Sequence, residues 1–362
     1  MKRNTTRALS LSKWLENAGA ARGYSSLSER LYEDLTSRRI PLSFDYLHPQ
    51  QSHLLELSLT NLLCKPGSFS QTQHVLPTIA RPSLLPPAHH LVYFPPQVTL
   101  PQLLRDGTDT LHCPGAPFNR RLWAGGSVNF ARTNKLRLDG SRAVCIERIR
   151  DVILKGQPGE EKIVVKIERH IGSVREDETE HDVRQRFWSS GQDANENTSV
   201  IEYRDLVFMR DKTAEKLDED KANFSQTPRM IKSPPNPEFR YSLTPTKALL
   251  FRFSALTFNA HLIHLDQGYT RDVEGYRNLL VHGPLTLTLL LTALRRHLGE
   301  KNMALQSIDY KNLSPLYVEE ELTICGKPKP NRDTAWDVWI EGKNGGVAVR
   351  GTAHVDAPTG DD

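Results

Sequence analysis

The stretch at residues 284–298, PLTLTLLLTALRRHL, constrains the fold of this chain more than any other segment. Its middle is apolar at almost every position, so a helix formed here has to be buried on nearly all sides. Pro284 suits the first turn, the basic residues at 295–297 suit the C-terminal end of the helix dipole, and Gly299 suits the position just past the end. The sequence therefore predicts one buried central helix about 22 Å long.

Segments that alternate apolar and polar residues follow this helix, and each of them predicts a strand. They are MALQSIDYKNLSPLY, EEELTICGK, TAWDVWIEGK and GVAVRGTAHVDA. Before the helix, the apolar segment KALLFRFSALT (247–257) predicts one more strand, which leads into a loop of about 25 residues. A strongly curved antiparallel sheet wrapped around one buried helix is the hot-dog arrangement, an α+β fold.

The preceding part of the chain divides by composition. Residues 26–63 place leucines at helical spacing and predict two short helices, whereas the proline-rich segment 64–101 cannot form a regular helix. From about residue 120 the alternation of strands returns, with turns at Asp139-Gly140 and Pro158-Gly159 and a further strand at 199–210. The charged segment 172–198 predicts an exposed loop.

Charge is distributed unevenly along the chain. Residues 1–25 contain five of the 47 basic residues and one of the 43 acidic ones, so the remainder carries no net charge. A neutral body argues against nucleic-acid binding. The basic, hydroxyl-rich leader is instead typical of a mitochondrial presequence, with a protease site after Tyr24, although a frayed basic N-terminus is the alternative. No apolar run is long enough to span a membrane, and the four cysteines form no metal-binding pattern.

The segment from 251 to 284 gathers the residues that point to chemistry. Asn259, His261 and His264 lie within six residues, and the apolar neighbours of His264 favour a neutral imidazole that can act as a base near pH 7. Gly283 then enters the helix, where backbone N–H groups have no internal partner and can stabilise a developing oxyanion. This combination predicts enolate-type chemistry. Considered singly, His264 could be a core histidine, His282 a capping residue and Gly283 a turn glycine.

These residues resemble the MaoC-like family of (R)-specific enoyl-thioester hydratases and dehydratases. Its motif S-G-D-x-N-P-I-H, aligned on the last histidine, places Phe258 at the glycine, Asn259 at the catalytic aspartate, His261 at the asparagine and His264 at the catalytic histidine. The resemblance implies that Gly283 holds the thioester oxygen, with His282, Phe258 and His261 beside the substrate. It implies no cofactor and no metal.

Asn259 departs from the general motif because an amide cannot act as a base. The variant FSALTFNxHxIHxD instead resembles the branch of fungal mitochondrial 3-hydroxyacyl-thioester dehydratases and mesaconyl- and itaconyl-CoA hydratases. In the first half, HHLVYFPP, Asp106-Gly107 and PFNRRLWAGGSVNF are similar to the non-catalytic half of that branch. The implied fold is a double hot-dog, with two curved antiparallel sheets that each wrap round a central helix. In it, Arg121 and Trp123 of the first half form a tunnel wall.

This organisation assigns residues 1–24 to a presequence and 25–84 to a helical and proline-rich extension. A non-catalytic hot-dog spans 85–210, a linker spans 211–244 and a catalytic hot-dog spans 245–357. The expected reaction is reversible dehydration of (R)-3-hydroxyacyl thioesters in mitochondrial fatty-acid synthesis, in the matrix, with CoA or acyl-carrier-protein thioesters as partners and a homodimer as one possible assembly.

Two other functions are compatible with the same residues. An itaconyl- or mesaconyl-CoA hydratase needs a cation in the pocket, for which Arg121, Arg252 and Arg271 are candidates. An inactive hot-dog protein that only binds acyl thioesters is the alternative from a different functional class.

Overall fold

The computed structural model describes residues 26–60, 62–63, 75–188, 197–224, 226, 230–330 and 332–356. The presequence predicted for residues 1–24 lies outside these described residues. Within them, no helix combines the length and the hydrophobicity that crossing a membrane requires.

The strands have the following bounds: β1 Ser43–Tyr46, β2 Arg120–Phe130, β3 Arg142–Lys155, β4 Lys162–Ser173, β5 Val200–Met209, β6 Phe239–Leu243, β7 Ala304–Asn312, β8 Leu322–Lys329, β9 Arg332–Glu341 and β10 Val347–Asp356. The helices have the following bounds: α1 26–36, α2 Pro49–Leu59, α3 Glu180–Trp188, α4 Ala214–Ala222, α5 Lys247–Leu256, α6 Gln267–Asp272 and α7 Gly283–Gly299.

All ten strands belong to one antiparallel sheet with the order β1-β3-β4-β5-β2-β7-β10-β9-β8-β6. The two halves of the chain meet where β2 pairs with β7, with Gly126 opposite Tyr310. Counted outward from this junction, both halves have the same strand order, so that β2, β5, β4, β3 and β1 correspond to β7, β10, β9, β8 and β6. The chain is therefore built from two similar units that share one continuous sheet.

Helix α7 is the predicted central helix, and its bounds agree with the prediction to within one residue. Its leucines are buried; Leu287, Leu290 and Leu294, for example, have no exposed surface. Burial of one such side chain stabilises the fold by about 2 kcal/mol. The core around α7 includes side chains of both halves, among them Leu55 of α2 and Val128 of β2.

The first half lacks a counterpart of α7 in its described residues. At the corresponding place in the chain, between α2 and β2, the described residues form two short 3₁₀ turns, His89–Val92 and Leu100–Gln102. The two helices that pack side by side are instead α2 and α5, which follow the first strand of each half. As far as the structure describes it, the first half thus keeps the sheet of the fold without the long central helix predicted for it, and its strands border the cavity described below.

The strand predicted for residues 247–257 is wrong, because this segment forms helix α5. The side chain of Thr246 caps the helix by accepting a hydrogen bond from the Leu249 N–H (3.1 Å). Leu249, Leu250 and Phe253 lie on its buried face. A short apolar run fits a buried strand or a buried helix equally well, and the cap together with packing against α2 decides in favour of the helix.

Two other predicted segments carry more structure than expected. The exposed loop predicted at 172–198 contains helix α3, whose Val183 and Phe187 are fully buried while Glu180 and Asp182 are exposed. The predicted linker 211–244 contains α4, and it also contains β6, which pairs with β8 and so belongs to the second half. The charge of both segments obscured the few apolar positions that anchor them.

Candidate active site

A cavity of about 930 Å³ lies between the two halves, and it is lined by residues from both. Seven of the eight residues predicted for the site line it, namely Arg121, Trp123, Phe258, Asn259, His261, His264 and Gly283. The eighth, His282, is fully buried behind His264. The structure therefore brings the predicted residues together, and Phe258, which is 69% exposed, marks the mouth of the cavity.

The loop that carries Asn259 is fixed by the end of helix α5. Phe258 takes the left-handed conformation (φ 52°) that commonly terminates a helix, and the Asn259 N–H then donates to the Ser254 carbonyl (2.9 Å). The side-chain carbonyl of Asn259 accepts the His261 N–H (3.0 Å). Because this bond uses the Oδ1 end, the amide NH₂ of Asn259 is the end available to a ligand, and it can only donate.

His264 ends a 3₁₀ turn and has a defined tautomer. Its Nδ1 lies 2.8 Å from the Leu280 carbonyl oxygen, which can only accept a hydrogen bond. The proton of the neutral ring therefore sits on Nδ1, and Nε2 keeps its lone pair. Burial lowers the pKa of His264 to about 4; the bond to Leu280 opposes this shift, and the Arg121 guanidinium adds to it by a smaller amount. His264 is thus a neutral base over the physiological range.

Two further imidazoles surround His264. The His282 ring stacks on it with centroids 3.7 Å apart, and the His261 ring meets it edge-on at 5.5 Å. His282 Nε2 is in turn held by the Ser254 hydroxyl of helix α5 at 2.8 Å. Burial lowers the pKa of both His261 and His282 well below the ordinary value, and the neighbouring rings lower them further. His282 stands at the N-cap of α7, but its side chain stacks on His264 and does not cap the helix.

The N-terminus of α7 faces the cavity at Gly283. The first N–H groups of a helix have no partner inside it, and they carry the positive end of the helix dipole. A Cβ added to Gly283 would lie 2.7 Å from the Cβ of Trp123, so only glycine fits between the helix and the wall from the first half. The Trp123 ring is held by a hydrogen bond from its Nε1 to the Tyr310 hydroxyl (2.7 Å).

The first half also contributes a loop that packs against the histidines. The Leu262 N–H donates to the carbonyl of Asp106 (2.8 Å), and a Cβ on Gly107 would lie 2.1 Å from the Ala260 carbonyl oxygen. Gly107 also has a positive φ of 81°, so glycine is required twice over. In the next turn of the same loop, the carboxylate of Asp109 holds the Arg121 guanidinium at 3.1 Å.

Sequence reasoning missed a group of charged residues that line the cavity beneath the first-half sheet. The guanidinium of Arg169 contacts the carboxylates of Glu147 (2.6 Å) and Glu202 (2.7 Å), and Arg204 holds Glu202 from its other side (2.7 Å). Glu147, Arg169 and Arg204 all line the cavity. Alternation along β3, β4 and β5 indicated that these side chains share one face of the sheet. The sequence did not show that this face borders the cavity.

Of the three arginines considered for a dicarboxylate substrate, the structure places Arg121 on the cavity wall. Arg252 and Arg271 are exposed, and the Arg271 guanidinium lies over the Phe224 ring at 6.0 Å. Within the described residues, no cluster of three or more potential metal ligands is present.

Comparison with known proteins adds three findings about sequence. The model of the family described as hydroxyacyl-thioester dehydratase type 2 matches residues 88–318. The mesaconyl-C(4)-CoA hydratase of Chloroflexus aurantiacus is 27% identical over 276 residues, which are 75% of this chain and 84% of that protein. The mitochondrial hydroxyacyl-thioester dehydratase type 2 of Schizosaccharomyces pombe is 26% identical over 255 residues, which are 68% of this chain and 79% of that protein.

Two solved structures are similar in fold. A MaoC-like dehydratase from Phytophthora capsici superposes with a TM-score of 0.56 at 12% identity, covering 90% of this chain and 99% of that one. The peroxisomal multifunctional enzyme type 2 of Drosophila melanogaster superposes with a TM-score of 0.52 at 11% identity, covering 87% of this chain and 48% of that one. At these identities the likeness concerns the fold alone, and it confirms the α+β hot-dog architecture.

Proposed function

Because this chain belongs to the hydroxyacyl-thioester dehydratase type 2 family and is therefore a thioester hydro-lyase, we propose that it interconverts (R)-3-hydroxyacyl and trans-2-enoyl thioesters. The observation that carries this proposal is the position of His264. It presents an unprotonated Nε2 on the wall of a cavity that the N-terminus of helix α7 also faces.

In the direction of dehydration, His264 Nε2 takes the proton from C2 of the substrate. Negative charge then develops on the thioester oxygen, and the N–H of Gly283 at the positive end of α7 is placed to stabilise it. One such donor can contribute about 3 kcal/mol to the transition state. The hydroxyl at C3 leaves as water once it receives the proton from His264. Hydration runs through the same steps in reverse.

Asn259 fits this scheme as a hydrogen-bond donor. Its Oδ1 is occupied by the His261 N–H, so its NH₂ group can donate to the hydroxyl at C3 or to the attacking water. One base, His264, then serves both proton transfers of a syn elimination. A carboxylate at position 259 is not required as a second base.

The decisive experiment is turnover by purified His264→Ala with crotonyl-CoA and with 3-hydroxyacyl thioesters. Loss of general-base catalysis lowers kcat by about 10²- to 10⁴-fold. His354→Ala, at an exposed position on β10, is the matched control and keeps the wild-type rate. Wild-type turnover by His264→Ala would exclude this mechanism, and binding of thioesters without turnover by the wild-type protein would favour the inactive acyl-thioester binder.

Asn259 offers a graded test of its own role. Asn259→Asp can still accept the His261 N–H, whereas Asn259→Ala loses both that bond and the donor. We expect kcat to fall about tenfold or more in both variants, with a lower melting temperature only in Asn259→Ala. Full activity of Asn259→Asp would show that the amide donor is not needed.

We also place the enzyme in the mitochondrial matrix, in fatty-acid synthesis. The relatives from Schizosaccharomyces pombe and Saccharomyces cerevisiae are mitochondrial by description, and the leader 1–24 has the composition of a presequence. Import into isolated mitochondria with removal of the leader supports this location, and retention outside the organelle contradicts it.

A second candidate substrate is a branched C5 dicarboxylyl-CoA. The mesaconyl-C(4)-CoA hydratase among the relatives motivates it, and the Arg121 guanidinium on the cavity wall is a cation that a second carboxylate requires. A substrate panel of carrier-bound 3-hydroxyacyl chains against itaconyl- and mesaconyl-CoA separates the two candidates. Under this alternative, Arg121→Gln loses activity on the dicarboxylates and keeps it on crotonyl-CoA.

A further inference from the structure

Two buried polar atoms face each other where the first half meets the catalytic loop. Asp106 Oδ2 lies 3.4 Å from His261 Nε2, and neither atom has a hydrogen-bond partner among the described residues. Both residues are almost fully buried, with 6% and 4% of their surface exposed. An unpaired buried polar atom costs about 1–3 kcal/mol, so this contact needs an explanation.

The chemistry of the two side chains defines what they can share. The other carboxylate oxygen, Asp106 Oδ1, already accepts hydrogen bonds from the Thr108 N–H (2.9 Å) and hydroxyl (2.7 Å). Oδ2 is therefore the oxygen left to accept a hydrogen bond from the His261 Nε2–H group. A neutral imidazole has one N–H, and a carboxylate partner at Nε2 places that proton on Nε2 and leaves Nδ1 as an acceptor.

The backbone holds this pair in register. The hydrogen bond from Leu262 to Asp106 and the contact of Gly107 with Ala260 lie on either side of His261 in sequence. His261 itself lines the cavity next to His264. Hydrogen bonds in active sites commonly shorten when substrate binds, and a shift of a few tenths of an ångström brings the 3.4 Å contact into range.

We propose that Asp106 is a positioning residue that the first half supplies to the active site, and that it acts by fixing the tautomer and orientation of His261. In this arrangement His261 Nδ1 accepts a hydrogen bond from the C3 hydroxyl or the attacking water, while the Asn259 NH₂ group donates one. A hydroxyl needs both a donor and an acceptor to be oriented, and the two residues together provide them. The hydrogen bond to the C3 hydroxyl rests on the proposed dehydratase function, whereas the contact between Asp106 and His261 does not.

The test is Asp106→Asn in the full-length protein. The new side chain keeps the bonds to Thr108 but presents an NH₂ group to His261, which forces the ring proton from Nε2 to Nδ1. Long-range ¹H–¹⁵N correlation spectra of ¹⁵N-histidine-labelled protein report this change directly, with His261→Gln identifying the His261 signals. We expect the protonated nitrogen to switch, and kcat for crotonyl-CoA hydration to fall at least about tenfold while KM changes less than about threefold.

A double-mutant cycle then shows whether Asp106 acts through His261. In the His261→Gln background, Asp106→Asn is expected to change kcat by less than about twofold. Asp139→Asn is the matched control: Asp139 Oδ1 holds the Ser141 N–H (2.9 Å) in a similar turn of the same half, away from the cavity. It leaves kcat and the His261 spectrum unchanged.

Two results would overturn the inference. One is an unchanged His261 tautomer in Asp106→Asn, and the other is a loss of kcat that persists in full in the His261→Gln background. The spectra need no turnover, so they test the Asp106–His261 pair even if the proposed reaction itself proves wrong. A lack of dehydratase activity in the wild-type protein would instead contradict the proposed function alone.

Discussion

The two halves of the molecule share a strand order but fill their sheets differently. In each half, the helix after the first strand holds a buried histidine through a serine: Ser52 binds His89 at 2.7 Å, and Ser254 binds His282 at 2.8 Å. After His282 the chain continues into the 17-residue helix α7, whereas His89 opens a 3₁₀ turn of four residues. The same strand order therefore packs against a long helix in the second half and borders the cavity in the first half.

This difference indicates that the two halves have different tasks in the proposed reaction: one holds the reacting groups and the other leaves space for the substrate. The second half is packed with leucines and supplies His264, the proposed base, and the N-terminus of helix α7. The sheet of the first half borders the cavity, and the ion pairs around Arg169 lie along this border. Rigidity for the reacting groups and space for the substrate thus come from two copies of one architecture.

The largest expected effect on stability comes from removing the positive charge of Arg169, which pairs with two buried carboxylates of the first half. Arg169→Met leaves the carboxylates of Glu147 and Glu202 buried without their shared cation, and we expect a loss of about 3–5 kcal/mol in the free energy of unfolding. Arg148→Met is the control: its side chain is 53% exposed and its pair with Glu168 contributes about 1 kcal/mol or less. Equal losses in denaturant titrations of the two variants would contradict the structural role given to the buried ion pairs of Arg169 in the first half.

The next effect concerns the point where the halves touch. Gly283→Ala pushes a methyl group against Trp123, and we expect a destabilisation of about 1–3 kcal/mol together with a large drop in kcat/KM. Gly299→Ala, at the other end of the same helix, meets no atom within 4 Å and should be neutral or slightly stabilising. Thermal unfolding and crotonyl-CoA hydration, measured on both variants, distinguish the contact with Trp123 from a general intolerance of the helix.

A third experiment makes the first half more like the second. Ile167 is 1% exposed and lines the cavity from β4, so Ile167→Phe occupies space that a long acyl chain would use. We expect kcat/KM for a ten-carbon enoyl-CoA to fall about tenfold relative to crotonyl-CoA. The ratio of the two substrates within one variant is its own control, and an unchanged ratio would show that the chain runs elsewhere.

The smallest effect is on pH dependence. Because His264 has a pKa of about 4, kcat/KM should fall only below about pH 4 and not near 6.5. Arg121→Gln removes a cation that lowers this pKa, so the acid limb moves upward, yet it stays below 6.5 because burial is the larger cause. The same depressed pKa means that stability contributed by neutral His264 is complete above pH 6.5 and is lost as the pH falls toward 4. An acid limb unaffected by Arg121→Gln would remove Arg121 from the site.

Much of this fold could be predicted because its signals are local. Helix α7 and strands β7 to β10 follow from burial and alternation, and both need only a short window of sequence. Helix α5 could not be told from a strand, since its outcome depends on the Thr246 cap and on the contact with α2. The sequence also did not show that the described part of the first half has no counterpart of α7, because tertiary packing decides this too.

The candidate site was predictable in part. Asn259, His261 and His264 are neighbours in sequence, and a family motif covers them, so their presence on one cavity wall was expected. Their catalytic roles stay predictions. The contact of Asp106 with His261 joins residues 155 positions apart, and the pairing of Arg169 with Glu202 depends on strand register. Neither contact leaves a pattern in a single sequence, although the pair Asp106-Gly107 belongs to the family resemblance of the first half.

The outer edges of the sheet have a consequence for how copies of this protein meet. The two strands that end the sheet are the shortest in it: β1 has four residues and β6 has five. Short edge strands offer few free backbone groups to another chain and so protect against aggregation through edge-to-edge pairing. Because the two units join through β2 and β7, the backbone groups of these two long strands are already paired inside the sheet and cannot bind another chain. If the protein forms a homodimer, the contact therefore uses side-chain surfaces and does not extend the sheet.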